Sequence, residues 1–113
     1  MQGQSMDLKG KIAAEYAAKR EKLEALRPDA LEAFATKLLE MIEREKETTL
    51  ASHDLTVLKE SMQHLKRDAT TLRTAEPGTD DYDFAINDCK NLINATRKWL
   101  KLEGYLESDS NTS

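Results

Sequence analysis

Two histidines, His53 and His64, are the side chains best suited to acid–base or metal chemistry near neutrality. Glu60 and His64 stand four residues apart, a spacing that puts both on one face of a helix, as two ligands of one metal ion would be. His53 falls near that face, but its separation from Glu60 spans about 10.5 Å of helix, too far to share an ion. Asp68, one turn past His64, extends the set. The pattern places this face opposite a leucine seam, so a solvated Glu–His pair is expected rather than a site. Glu-x-x-His, the pair that carboxylate di-metal bundles take from each of two helices, occurs nowhere in the chain.

The remaining chemistry-bearing residues are sparse. The single cysteine, Cys89, lies on an apolar stripe, and the acids upstream of it (Asp80, Asp81 and Asp83) oppose a thiolate. It is expected to be buried and inert. The four glycines, Gly3, Gly10, Gly78 and Gly104, are isolated, so no phosphate-cradling loop is present. Serines cluster at caps and in the tail, so no Ser–His–acid set is expected. The chain reads as a non-enzyme, with no catalytic residue, metal or cofactor expected.

Any site must therefore be a surface, and helices must position it. Of 113 residues, 34% are charged and 39% hydrophobic, with only two prolines. Helix formers dominate this composition, which suits one domain folding on one core. Arg27-Pro28-Asp29 breaks one helical pattern. Ala75-Glu76-Pro77-Gly78-Thr79 is a loop, after which Asp80 or Asp81 reads as an N-cap. A softer boundary falls near Ser52-His53-Asp54.

Four segments each open on acids and close on bases, as helix dipoles prefer: Asp7 to Arg27, Asp29 to Lys46, Asp54 to Arg73, and Asp80 to Lys101. The expected fold is all-α, an up-down four-helix bundle. The alternative is three helices, one running unbroken from about 29 to 74 and covered by dimerisation. Residues 1–6 are expected to be a flexible extension, 7–106 the bundle, and 107–113 a disordered polar tail.

Within the segments the apolar positions recur by three and four. The third carries Leu55, Leu58, Met62, Leu65, Ala69 and Leu72, and the second Leu31, Phe34, Leu38, Met41 and Ile42. The fourth carries Tyr82, Ile86, Cys89, Ile93, Thr96 and Leu100. The first is less regular: Leu8, Ile12, Tyr16, Leu23 and Leu26, with Lys19 inside the stripe. It is expected to be the least tightly held helix.

Two surface features remain, both on the fourth segment. Lys90, Arg97, Lys98 and Lys101, interleaved with Asn87 and Asn94, form a basic stripe expected to face solvent. Such a stripe can track a phosphate backbone, which would make the chain a nucleic-acid-associated accessory factor. The net charge of −4 and the shortness of the stripe disfavour nucleic acid as a partner.

The second feature is apolar. Phe84, Ala95, Leu102 and Leu106 form a stripe well over 100° from the core positions, with Leu92 and Trp99 between. A surface helix commonly commits about a third of its circumference to apolar residues, and this one commits more. Phe84, Trp99, Leu102 and Leu106 are accordingly the candidate partner-binding residues. The expected function is a non-enzymatic protein-interaction module: an adaptor, chaperone, inhibitor or small regulator of bacterial or phage type. Its expected partner is another protein or a second copy in a homodimer. With one cysteine, no apolar run long enough for a bilayer and no secretory pattern at the start, the expected setting is the cytoplasm.

Overall fold

The computed structural model describes residues 8–44 and 52–106, which form four α-helices: α1 (Leu8–Glu24), α2 (Pro28–Arg44), α3 (Ser52–Thr74) and α4 (Asp80–Leu102). Each packs on its neighbours in sequence, and α1 closes the ring against α4. Arg73, late in α3, pairs with Asp29 and Glu32 at the start of α2, so these helices run antiparallel. That contact excludes one continuous helix from 29 to 74. The up-down bundle is the observed architecture.

Local chemistry explains where the helices stop. Pro28 is the first residue of α2, where its missing N–H costs nothing. The turn before it is a Schellman motif: Arg27 N–H donates to the Lys22 carbonyl, and Leu26 N–H donates to that of Leu23. Leu26 occupies the left-handed position, with φ of 58°. The same motif ends α4, where Tyr105 N–H reaches Leu100 O and Gly104 takes the left-handed position at φ 85°. Glycine removes there the steric cost that Leu26 bears.

The N-cap of α4 is Thr79 rather than Asp80 or Asp81. Its backbone is extended and its Oγ1 accepts from Tyr82 N–H at 3.3 Å. The two aspartates instead fill the first turn, where they meet the positive end of the dipole. The acid-to-base polarity holds for α2, α3 and α4; Asp7 and Lys46 lie outside the described residues. So do the extension at 1–6 and the tail at 107–113.

The apolar stripes meet in one core. Leu58, Met62, Leu65, Ala69 and Leu72 of α3 are buried against Leu31, Phe34 and Leu38 of α2 and Cys89, Ile93 and Leu100 of α4. Irregular as its pattern is, α1 contributes Leu8, Ile12, Tyr16 and Leu23, all buried. Lys19 stays half-exposed beside that stripe by pairing with Glu15 at 2.6 Å. Tyr16 meets Phe34 edge-on, with ring centroids 5.9 Å apart, a geometry that aligns a positive ring edge with a negative face.

Phe34 is fully buried and Phe84 is 64% exposed, so the chain's two phenylalanines should behave oppositely. Phe34→Ala is expected to cost about 3–5 kcal/mol of stability, and Phe84→Ala to stay within about 0.5 kcal/mol. Urea denaturation followed by circular dichroism measures both; equal losses would contradict this core assignment.

Candidate functional site: the seam between α3 and α4

The two longest helices, 23 residues each, lie antiparallel along a seam that is open at one end and closed further along. The open end is a groove of about 300 Å³. From α3 come His53, Asp54, Val57, Leu58 and Ser61, and from α4 come Leu92, Ala95, Thr96 and Trp99. Helix spacing produces this lining: positions 54, 57 and 61 lie on one flank of the α3 core stripe, and 92, 95 and 99 on one flank of that of α4. Leu92 and Trp99 are half-buried and pack against the core, while Val57 is 48% exposed. Thr96 is buried and satisfies its hydroxyl on the Leu92 carbonyl at 2.9 Å. The groove is therefore largely apolar-walled, and its ionisable residues, His53 and Asp54, are exposed.

The closed part of the seam holds an acid. Asp68 is only 3% exposed, which corrects its placement on an outer face with Glu60 and His64; both of those are exposed. At 100° per residue Asp68 stands on the α4 side of the leucine seam, and α4 covers it. Its Oδ2 atom is enclosed with no hydrogen-bond partner. Burial first, then a hydrogen bond with Asp88 and the charge of that residue, push Asp68 up to about 7, against a small opposing pull from Arg67. Cys89 is buried beside the pair. Desolvation, followed by the charges of Asp68 and Asp88, pushes its thiol up to about 12.

The four candidate partner-binding residues of α4 separate in space. Trp99 lines the groove, and Leu102, 78% exposed, lies two turns beyond Ala95 and one beyond Lys98 on the outer edge. Leu106 folds back and packs against the core. Phe84 shares the helical face of Leu102 but stands about 27 Å from it along the axis. One continuous stripe is thus replaced by a groove with an exposed leucine near one end and a distant exposed phenylalanine. Val57 was not legible as a site residue, because it lies off the leucine stripe of α3 and its helical neighbours on that flank, Asp54 and Ser61, are polar.

The basic residues also divide. Lys90 and Lys98 are exposed, but Arg97 is half-buried and turns toward α1, where its guanidinium lies 3.5 Å from Glu24 and 3.3 Å from Asn94 Oδ1. Glu24 also accepts from the Tyr16 hydroxyl at 3.0 Å and from Arg20 Nε at 3.1 Å. Burial and this hydrogen bond to Glu24 raise the Tyr16 phenol. Arg97 thus belongs to a network tying α1 to α4, which corrects its placement on the solvent side. Lys101 is half-buried.

Among the described residues no three His, Cys, Asp or Glu side chains converge so as to hold a metal ion. No helix among them is long and apolar enough to cross a membrane. No protein-family model, curated protein or solved structure matches the chain.

A thiol raised this far is protected twice, by enclosure and by protonation. In native protein at pH 8, Cys89 should react with a disulfide reagent at least about a hundredfold more slowly than in the urea-unfolded chain, whose cysteine returns to a pKa of about 8.5. Following the released thiolate by absorbance measures this, and equal native and unfolded rates would place Cys89 outside the core.

Proposed function

We propose that this chain is a non-enzymatic protein-interaction module whose docking element is the α3–α4 groove together with the exposed edge of α4 at Leu102. The observation that carries this reading is the apolar lining itself: Val57, Leu92, Ala95 and Trp99 form a concave surface with aliphatic or aromatic walls. Concave apolar pockets with a few polar groups at the mouth are the usual form of binding sites, and tryptophan is a frequent interface anchor. A partner helix that places one apolar side chain between Val57 and Trp99 would cover both and bring its neighbouring turn over Leu102.

The groove also supplies little chemistry. Its ionisable residues, His53 and Asp54, are adjacent in sequence at the first turn of α3 and lie at the exposed mouth. That arrangement suits a polar rim around an apolar anchor point. The basic residues of α4 support a nucleic-acid role less well, since Arg97 is engaged by Glu24 and Lys101 is half-buried.

Val57→Glu/Leu102→Glu changes exposed positions and is expected to leave the melting temperature nearly unchanged while abolishing association. Size-exclusion chromatography with light scattering over a wide concentration range, beside affinity capture of partners by both proteins, measures this. A wild-type dimer lost in the variant identifies the partner as a second copy, and a captured protein lost in the variant identifies a different one. A wild type that stays monomeric and captures the same proteins as the variant would contradict the reading.

A further inference from the structure

We propose that the α3–α4 seam is a proton-operated latch: one proton held at the Asp68–Asp88 pair closes the two helices on each other, and its release loosens them. The inference concerns the seam and does not depend on what the groove binds.

The geometry leaves the carboxyl little alternative. Asp68 is buried on the α4 side of α3, with Asp88 and Cys89 of α4 acting on it, and its Oδ2 has no hydrogen-bond partner. An ionised carboxylate in such a place is unfavourable, because nothing replaces the water it gave up. The group across the seam makes ionisation worse, since Asp88 is a second acid. The facing groups on α4 are Asp88 and Cys89, neither of which supplies a positive charge. On α3 itself, Arg67 is the cation that acts on it, and Arg67, Lys66 and His64 are all exposed. On the opposite flank α2 sends its acids Asp29 and Glu32 to Arg73 rather than to this pair. A proton on Asp68 removes the buried charge and lets the two carboxyls lie together.

The direction of the pH effect follows. The ordinary aspartate value of 3.8 applies to the unfolded chain, and about 7 to the folded one. Between these values the folded chain holds a proton that the unfolded chain has lost, so stability falls as pH rises. In the folded chain the proton stays on and the latch stays closed until pH approaches about 7, while the stability it contributes is full below about pH 4 and spent above about pH 7. Across that window the unfolding constant should rise by up to about tenfold per pH unit.

The test is thermal and urea unfolding of wild type, Asp68→Asn and Asp88→Asn from pH 4.5 to 9, with the emission of Trp99, the single tryptophan, reporting the seam. Wild type should lose stability up to about pH 7 and then level off, with a red shift of native-state Trp99 emission centred near pH 7. Asp68→Asn should flatten the descent and be more stable than wild type at pH 8, although it deletes a charged group. If Asp68→Asn does not fold, Asp88→Asn carries the comparison: it should end the descent at lower pH. Wild-type stability that is level or rising between pH 4.5 and 7 would overturn the latch. So would an unchanged descent in either folded variant, which would assign the effect to the overall acidity of the chain.

Discussion

The packing of α3 on α4 is the contact on which the rest of this molecule depends. These helices are the longest, and their shared seam holds both the groove and the buried acid. To build it, α4 divides its circumference three ways. Ala85, Cys89, Ile93 and Leu100 face the core; Leu92, Ala95 and Trp99 turn to α3; and Arg97 turns to α1. A helix so divided needs more apolar surface than one that merely covers a core, which accounts for its breadth of hydrophobic positions. The other flank closes the ring with polar contacts: Lys9 to Glu103 at 2.7 Å, and Arg97 to Glu24. Exposed ion pairs of this kind orient helices more than they stabilise them.

The placement of the polar groups gives the seam a gradient. At the groove end Thr96 is satisfied within its own helix and the ionisable residues stay at the exposed mouth. Further along, Asp68 is buried without a donor and faces another acid. A half-satisfied polar group within an apolar interface reduces stability relative to a hydrocarbon of the same shape. Its presence makes the closed seam conditional on protonation, whereas the leucine contacts of α2 with α3 carry no such condition.

Much of the fold was legible in the residues. The leucine and methionine positions of α3, the proline at 28 and the loop around Gly78 each name a structure that follows from sterics or periodicity. What was not legible depended on which helices become neighbours. Asp68 is four residues from exposed His64, and its place on the flank of the seam becomes interior only because α4 lies on that side. Arg97 reads as one of four basic residues until α1 brings Glu24, distant in sequence, against it. Thr79 precedes two aspartates that read as equally good caps, and only its extended backbone decides the matter. The width of the α4 apolar surface was legible, but its division into a groove wall, a packed Leu106 and two separate exposed residues required the path of α3.

The most direct measurement on the seam is the carbon-13 shift of the Asp68 side-chain carboxyl, followed by NMR from pH 3 to 9 with Asp68→Asn providing the assignment. In a closed seam this carboxyl titrates near neutrality, well separated from the ordinary aspartate range. A midpoint in the ordinary range near 4 would mean that Asp68 meets water or a donor in solution, and would contradict the closed seam described above.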